Sequence, residues 1–126
     1  MVQPEASILM RKLGIENPEI PKAFDAFILV DTCSMRDAPS LISAEKVIEV
    51  VDHRKSIENV AEIFPNAKIQ IELVGAAATL ITEKFVREGL RPSHEAGTML
   101  YCAIFSNTLG FKASNTTKRD REAFRW

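Results

Sequence analysis

An acid, an imidazole and a guanidinium follow one another at the end of an apolar run in this chain. The stretch VIEVVDHRK carries Asp52, His53 and Arg54 directly after its valines and isoleucine, and Asp31 follows a second apolar run, FILV. Carboxylates and neutral imidazoles are ligands that Mn, Fe, Zn and Co accept, and an arginine fork can clamp a phosphate. These residue types suit metal-assisted chemistry on a phosphate, in which a carboxylate shared by two ions helps to hold the attacking water.

Each of these residues also has a simpler interpretation. Acids are common at strand ends, so Asp31 and His53 are compatible with ordinary contacts between strand ends and solvent. Arg54 is compatible with a surface ion pair to Glu58. From the spacing alone, both interpretations stay open.

Three further polar residues are candidates for a chemical role. His94 stands in the first turn of a predicted helix, where an exposed histidine is the simpler interpretation. Glu72 fits the solvated face of a strand better than a general base. Lys112 enters a Ser/Asn/Thr-rich loop, where it is either solvated or within reach of a phosphate.

Strands must position the acids and the histidine. Two apolar segments predict buried strands, over about Ala26 to Val30 and over Val47 to Val51, and KIQIELV alternates as a half-buried strand does. The apolar positions of KIQIELV are Ile69, Ile71 and Leu73. Strands buried on both faces are typical of parallel sheets in α/β folds. Ligands in such folds bind outside the carboxyl ends of the strands, so Asp31 and His53 are expected to converge there if the strands are adjacent.

The N-terminal part predicts a helix and a connector. PEASILMRKLGI has the apolar spacing of a short amphipathic helix that ends at Gly14. ENPEIPK carries Pro18 and Pro21 and is expected to be a connector. RKSIENVAEIFPNA predicts a loop with one helical turn.

The C-terminal part predicts three helices. GAAATLITEKFVREGL predicts a helix that ends at Gly89, and its expected apolar face consists of Ala78, Ile81 and Phe85. PSHEAGTMLYCAIFSNT predicts a helix with Pro92 in its first turn. TTKRDREAFRW opens with Thr117 and Asp120 in capping-box spacing. The apolar residues expected in the core of this part are Met99, Tyr101, Phe105 and Phe111.

Composition limits the class of protein. The 126 residues, 46% of them hydrophobic, suit one globular domain. A net charge of -1 with interspersed acids and bases gives no basic face for nucleic acid. Apolar runs are too short to span a bilayer, and no secretion signal is expected from the pattern of the N-terminal residues. Cys33 and Cys102 lie far apart, which favours a reduced, cytoplasmic chain.

Four segments together resemble the DHH phosphoesterase superfamily and, within it, the manganese-dependent (family II) inorganic pyrophosphatases. They are FILVD, EVVDHRK, IELVGAAATLITEKF and LYCAIFSNTLGFKASNTTKRD, which occur in the family's order between about Ala26 and Trp126. The resemblance implies an α/β fold, a parallel-sheet three-layer DHH-type domain that holds a di-metal site. It also implies a smaller C-terminal domain that closes over this site.

The resemblance implies roles for the matching positions. Asp31 falls where the family has the carboxylate that bridges both metals. Asp52 and His53 begin the Asp-His-His motif, with His53 as a metal ligand and Asp52 as a supporting carboxylate of the catalytic site. Asn107, in SNT, falls where the family usually has an aspartate ligand.

The chain departs from the family pattern at several positions. Arg54 replaces the second histidine of the motif, which keeps phosphate binding but cannot titrate near neutral pH. Asn107 brings no negative charge, so metal affinity is expected to fall. The family's first motif, His-x-x-x-Asp-x-Asp, is not found before Asp31. We therefore expect an incomplete domain, with a helix and connector over residues 1–22, a family-like core over 23–126, and neither the first strand nor the closing domain.

Two functions are consistent with this pattern. The first is hydrolysis of pyrophosphate, or another small phosphoanhydride, by a water that Mn²⁺, Co²⁺ or Mg²⁺ activates. Asp31, His53 and Asn107 would bind the metal, Asp52 and Arg54 would be catalytic, and Arg54 and Lys112 would bind the substrate. With so few carboxylates, the chain alone is expected to show little activity. The second is a non-catalytic domain that binds phosphate or a nucleotide, or serves in association.

Self-association is a separate expectation. A sheet that lacks its opening strand leaves an edge or a face uncovered, and such surfaces promote pairing between copies. The chain is therefore predicted to form a homo-oligomer.

Overall fold

The structure, a computed structural model, describes residues 4–16, 23–36, 40–54 and 59–126 of the chain. The helices in these ranges are α1 (Pro4–Lys12), α2 (Val60–Ile63), α3 (Ala77–Arg87), α4 (His94–Asn107) and α5 (Lys118–Arg125). The strands are β1 (Phe27–Val30), β2 (Val47–Asp52) and β3 (Lys68–Ile71). Among the helices described, none has both the length and the apolarity to cross a bilayer. The predicted connector with Pro18 and Pro21 lies outside the described residues.

The three strands form one parallel sheet in the order β1-β2-β3, which confirms the predicted α/β fold. In the centre of the sheet Leu29 pairs with Val50, and Val50 pairs with Ile69. The ladder continues just past β1, where the Asp31 N–H donates to the Val51 carbonyl at 2.9 Å. Because parallel strands end at the same edge, the residues that follow β1 and β2 come to lie side by side.

Apolar side chains pack on both faces of the sheet and give three layers. On one face the buried cluster joins the sheet to α2 and consists of Leu29, Cys33, Val47, Val50, Val60 and Phe64. On the other face Val51 packs with Val74 and with Leu80 of α3. Neighbouring residues of a strand point to opposite faces, so Val50 and Val51 contribute to different layers.

The prediction that β1 is buried on both faces is wrong. Leu29 is buried, whereas Ile28 and Val30 are 57% and 44% exposed. The strand register places Ile28 and Val30 on the same face of the sheet as Val51. On that face α3 packs against β2 and leaves these two side chains of β1 uncovered. An apolar run cannot distinguish an edge strand from a central one, because the distinction depends on what covers it.

The strand β2 is buried along only part of its length. Phe27 pairs with Val47 and Ile28 with Glu49, so the register skips Ile48, which is half exposed. In the first half of β2 only Val47 is buried, whereas Val50, Val51 and Asp52 are all buried in the second half. The prediction of a fully buried strand is therefore correct only for that half.

In β3 the alternation holds as far as Ile71. Ile69 and Ile71 pack against the cluster on the α2 face. Leu73, the third position of the predicted apolar face, is exposed because the strand has ended before it. The prediction for Leu73 is wrong.

The helix α3 buries a different face from the one predicted. The predicted positions, which are only partly buried, are Ala78, Ile81 and Phe85. The buried positions are Ala77, Thr79, Leu80 and Thr82. Both threonines donate hydrogen bonds, Thr82 to the Ala78 carbonyl and Thr79 to Asp120. These bonds allow polar side chains to be buried, which hydrophobic periodicity does not reveal.

The helices α4 and α5 begin with well-formed caps. The Ser93 hydroxyl accepts from the Ala96 N–H at 3.2 Å, so Pro92 precedes the cap, and its predicted place in the first turn is wrong. The predicted capping box of α5 is present, because Thr117 and Asp120 bind each other's backbone N–H groups.

The aromatic residues of α4 form a partly exposed stack against α5. The Tyr101 ring lies 4.0 Å from the Phe124 ring, and the Phe105 ring lies 5.9 Å from it, measured between centroids. Tyr101 and Phe105 are half exposed. Their assignment to the core is therefore wrong, because these ring contacts leave about half of each side chain in solvent.

Gly75 lies between β3 and α3, where it contacts Asp120 and the end of α4. A Cβ atom at this position would lie 2.6 Å from Cγ2 of Thr108 and 3.0 Å from Oδ2 of Asp120. Gly75→Ala is therefore expected to lower the free energy of unfolding by about 1–3 kcal/mol through overpacking. Urea denaturation followed by circular dichroism measures this change.

Gly97 in α4 offers a matched control. A Cβ atom there would meet Cγ of Pro92 at 3.6 Å, an ordinary contact distance. Because alanine is the better helix former, Gly97→Ala should be neutral or stabilise by up to about 1 kcal/mol. Equal losses in the two variants would contradict the packing explanation.

Candidate metal centre

Asp31, Asp52 and His53 come together at the carboxyl edge of the parallel sheet. Asp31 directly follows β1, Asp52 is the last residue of β2 and His53 follows it. Asp31 has a φ of 63°, a left-handed conformation that aspartate adopts more readily than most residues. One ligand atom from each of the three residues lies within 4.8 Å of the others, and this is the metal-type cluster found among the described residues.

The contact between Asp31 and His53 has the spacing of neighbouring metal ligands. Nε2 of His53 lies 3.2 Å from Oδ1 of Asp31. Metal–ligand bonds of about 2.1 Å at roughly right angles place two ligand atoms about 3 Å apart. The structure thus brings together the two residues whose meeting the parallel arrangement predicts.

The His53 ring is oriented by a backbone carbonyl. Nδ1 lies 3.0 Å from the carbonyl oxygen of Val74, in the segment between β3 and α3. A carbonyl oxygen only accepts, so Nδ1 carries the proton and donates. In the neutral ring the lone pair is then on Nε2, which faces the Asp31 carboxylate. Two electron-rich atoms at this distance are stabilised by a cation bound to both or by a proton on Nε2.

Asp52 is fully buried, and its two oxygens have different surroundings. Oδ1 accepts the N–H groups of His53 at 2.6 Å and of Arg54 at 3.2 Å. Oδ2 is buried and has no hydrogen-bond partner in the structure. Because an unsatisfied buried polar atom is costly, an unpaired carboxylate oxygen on a residue of this cluster fits a cation. The donor set of two carboxylates and an imidazole also suits Mn²⁺ or Co²⁺.

Arg54 bridges the two carboxylates. Its Nη2 donates to the backbone carbonyl of Asp31 at 2.5 Å and lies 4.0 Å from Oδ1 of that residue. Its Nε lies 3.6 Å from Oδ1 of Asp52. The alternative partner from the sequence, Glu58, lies outside the described residues.

The remaining candidate residues are exposed. Asn107 ends α4, and its amide nitrogen donates to the Ala103 carbonyl at 3.1 Å. Lys112 lies in the turns after α4. The contacts of the described residues do not join Asn107 or Lys112 to Asp31 or His53, so their roles stay predictions. His94 is exposed at the start of α4, as expected.

Glu72 belongs to an ion-pair group rather than to the centre. Hydrogen bonds from Gln70 and then from Arg119 hold the pKa of Glu72 below its usual value. Arg119 also binds Glu83 of α3 through two nitrogens, at 2.7 and 2.6 Å, and these bonds raise the pKa of Arg119. The group ties α5 to α3 and to the end of β3.

A buried carboxylate supports the segment that orients His53. Asp120 accepts hydrogen bonds from the Gly75 N–H, from the Thr79 hydroxyl at 2.6 Å, and from the N–H and hydroxyl of Thr117 at 2.7 Å. Burial raises the pKa of Asp120, but the hydrogen bonds lower it by more, so its pKa is lowered overall. Since Gly75 follows Val74 directly, Asp120 positions the carbonyl that binds His53.

Two of these supporting groups were not found from the sequence. The Val74 carbonyl has no sequence signal, because every residue carries a carbonyl. Asp120 was recognised only as a helix cap, and its reach to Gly75 and Thr79 depends on how α5 packs. The three-residue spacing between Thr117 and Asp120 indicates the helix cap but not the contacts of Asp120 with Gly75 and Thr79.

The chain is similar to several inorganic pyrophosphatases, although no protein-family model matches it. It is 35% identical over 124 residues to a protein of Lactobacillus delbrueckii subsp. bulgaricus assigned as a manganese-dependent inorganic pyrophosphatase, covering 94% of this chain and 39% of that protein. It is 36% identical over 77 residues to a cobalt-dependent inorganic pyrophosphatase of Clostridium perfringens, covering 60% of this chain and 13% of that protein. A solved chain of Methanococcus jannaschii, assigned as a family II inorganic pyrophosphatase, matches with a TM-score of 0.75 and 25% identity, covering 97% of this chain and 42% of that chain. The chain thus spans less than half the length of each.

Proposed function

This chain is a distant homologue of the manganese-dependent (family II) inorganic pyrophosphatases, of which it spans about 39%, and we propose that it carries part of a metal-dependent phosphoanhydride hydrolase site. The observation that supports this most directly is the cluster of Asp31, Asp52 and His53 at the carboxyl edge of the sheet. The ligand types and their spacing fit a divalent ion, and the two bacterial relatives described above are assigned as manganese-dependent and cobalt-dependent enzymes.

In this proposal Asp31 and His53 bind the metal, with Asn107 as a weak additional ligand. A divalent ion supplies Lewis-acid activation of water and neutralises phosphate charge. Asp31 bears the charge that attracts the ion, and the Val74 carbonyl keeps Nε2 of His53 available by holding the proton on Nδ1. Mn²⁺ is the expected ion, and Co²⁺ and Mg²⁺ are the alternatives.

Arg54 and Lys112 are proposed to bind the substrate. The Arg54 guanidinium is a planar cation with several donors, and its side chain is 48% exposed at the rim of the centre, so it can bind a phosphate oxygen. Asp52 acts by fixing the backbone N–H groups of His53 and Arg54. In the reaction, water adds its oxygen to one phosphorus of pyrophosphate, the bridging P–O bond breaks, and two phosphates leave.

The same proposal includes a division of the chain into two parts and a cytoplasmic location. Residues 1–22 are proposed as a helix and connector, and residues 23–126 as the family-like core. The cysteine pattern of the sequence supports a cytoplasmic location.

Calorimetry with pyrophosphate tests the proposed site. We expect Mn²⁺ to tighten pyrophosphate binding at least tenfold, because the ion would contact both the carboxylates and the phosphate. Equal binding with and without Mn²⁺ would instead support the second candidate function, an anion-binding domain without catalysis. The replacement of the family's histidine and aspartate by Arg54 and Asn107 favours that candidate, since neither adds negative charge for a metal.

Phosphate release measures what the chain does alone. We expect the isolated 126-residue chain to release phosphate from pyrophosphate slowly or not at all, because its centre has two carboxylates. A colorimetric phosphate assay with millimolar Mn²⁺, and chemically denatured chain as the blank, gives the rate. Rapid manganese-dependent release would overturn this expectation.

We also propose that β1 mediates pairing with a second copy. In the sheet that the described residues form, β1 is an edge strand, and Ile28, on the sheet face that carries α3, is 57% exposed. An exposed edge beside apolar side chains favours pairing between copies. We expect light scattering to show a dimer or larger oligomer, and Ile28→Lys to shift it toward monomer.

Leu90, also 57% exposed but located after α3, is the matched control for Ile28. Leu90→Lys should leave the oligomer unchanged, because it lies outside the sheet. A wild-type monomer at all concentrations, or dissociation by both variants alike, would rule out the proposed edge.

A further inference from the structure

The guanidinium of Arg54 already occupies one side of the candidate centre. It is within 2.5 Å of the Asp31 carbonyl, 4.0 Å of Oδ1 of Asp31 and 3.6 Å of Oδ1 of Asp52. Its own backbone N–H also binds Oδ1 of Asp52 at 3.2 Å. A cation of the chain itself therefore lies against both carboxylates.

Two further atoms of the centre, Oδ2 of Asp52 and Nε2 of His53, have no contact with Arg54 and are available to bind one cation. Oδ2 of Asp52 is buried without a hydrogen-bond partner, and Asp52 as a whole is 0% exposed. Nε2 of His53 faces Asp31 at 3.2 Å, with its proton held on the opposite ring nitrogen. Asp31, Asp52 and His53 form the cluster in which one possible ligand atom of each residue lies within 4.8 Å of the others.

Charge limits how many divalent ions can share this place. Asp31 and Asp52 bring two negative charges, Arg54 brings one positive charge, and neutral His53 brings none. One divalent ion would leave a net charge of about plus one, whereas two would leave about plus three, by formal charge counting. Like charges a few ångströms apart repel strongly in a partly buried site, so the second ion would have to displace Arg54.

We propose that this centre binds a single divalent cation through Asp31, Asp52 and His53, and that the Arg54 guanidinium takes the place of a second cation. The inference rests on the proposed function in one respect, because both place a divalent ion at these residues. It adds Asp52 as a direct ligand through its unpaired oxygen, and it assigns Arg54 as a resident cation that restricts the centre to one ion.

The experiment measures Mn²⁺ alone, without pyrophosphate. Isothermal titration of the full chain at pH 8 should give one Mn²⁺ per chain, and the electron paramagnetic resonance spectrum should show no coupling between two manganese ions. Arg54→Gln removes the charge and should tighten Mn²⁺ binding at least fivefold. Arg54→Lys keeps the charge and is the matched control, with binding within about twofold of the wild type.

Asp52→Asn tests the proposed ligand. It should weaken Mn²⁺ binding at least tenfold, with the fold checked by circular dichroism. Asp52 is fully buried, so if the circular dichroism spectrum shows that this variant is unfolded, the wild-type stoichiometry and the two Arg54 variants decide the result. Two ions per wild-type chain, no Mn²⁺ binding at millimolar concentration, or equal affinity of Arg54→Gln and Arg54→Lys would overturn the inference.

The outcomes separate this inference from the proposed function. A chain that binds one Mn²⁺ but shows no manganese-dependent pyrophosphate binding supports the inference and contradicts the function. A chain that binds two Mn²⁺ and also binds pyrophosphate in a manganese-dependent way supports the function and contradicts the inference.

Discussion

Replacing Asp120 with alanine is expected to lower the free energy of unfolding by about 3–5 kcal/mol. The carboxylate is fully buried and accepts from the Gly75 N–H, the Thr79 hydroxyl and the Thr117 N–H. Each buried donor left unpaired costs about 1–3 kcal/mol, and the helix cap is lost as well. Since domains of this size are stable by about 5–15 kcal/mol, the variant loses a large share of its stability.

Urea denaturation at pH 7 measures the effect of Asp120→Ala. Glu122→Gln is the matched control on the same helix, because Glu122 pairs with Lys118 on the exposed side of α5. Exposed pairs of this kind contribute little, so the control should stay within about 0.5 kcal/mol of the wild type. A loss below about 1 kcal/mol in Asp120→Ala would contradict the role given to the network.

The stabilisation by Asp120 is expected to depend on pH. Its pKa is lower in the folded chain than the usual aspartate value of about 3.9. The unfolded chain therefore binds the proton more readily, and stability rises with pH in that range. The contribution is present above the usual pKa and is lost as the pH falls through the folded value. The difference in stability between the wild type and Asp120→Asn, measured by urea denaturation, should accordingly shrink as the pH falls below about 4.

Replacing His53 with alanine is expected to weaken Mn²⁺ binding about 100-fold. The variant loses Nε2, the imidazole ligand that lies 3.2 Å from Asp31, and leaves two carboxylates. Loss of even an outer-shell partner of a metal ligand costs 10–100-fold in affinity, so removal of a ligand itself is placed at the upper end of that range. Isothermal titration with Mn²⁺ at pH 8 provides the measurement.

The chain contains two histidines, which makes His94 the natural control. His94 is exposed at the start of α4, outside the cluster of Asp31, Asp52 and His53. His94→Ala should therefore bind Mn²⁺ as the wild type does. If both variants lost affinity equally, or if His53→Ala kept it, Mn²⁺ would be binding elsewhere and the proposed centre would be wrong.

The fold of the central sheet could be predicted because its signals are local. Apolar runs that end in Asp31 and Asp52 predict strands, and the later change to helical periodicity predicts a parallel α/β arrangement. The adjacent order of β1, β2 and β3 confirms it. The cap of α5 was predicted for the same reason, since Thr117 and Asp120 are three residues apart.

Burial was predicted less well, because it depends on partners distant in sequence. Ile28 has the same local pattern as a core residue, yet it lies on an edge strand. Thr79 looks like a surface residue of α3, yet it is buried against Asp120. In both cases burial depends on whether another element covers the side chain, and the local sequence pattern does not specify that element.

The sequence by itself determined which groups are available for chemistry: two acids and a histidine at strand ends, and an arginine in place of a second histidine. Only the tertiary structure decided how they are arranged. It buries Asp52 with one oxygen unpaired, turns Nε2 of His53 toward Asp31, and lays Arg54 against both carboxylates. The physical reason is that residue types follow from local sequence, whereas burial and ring orientation depend on contacts between distant segments, such as the one between His53 and the Val74 carbonyl, 21 residues apart.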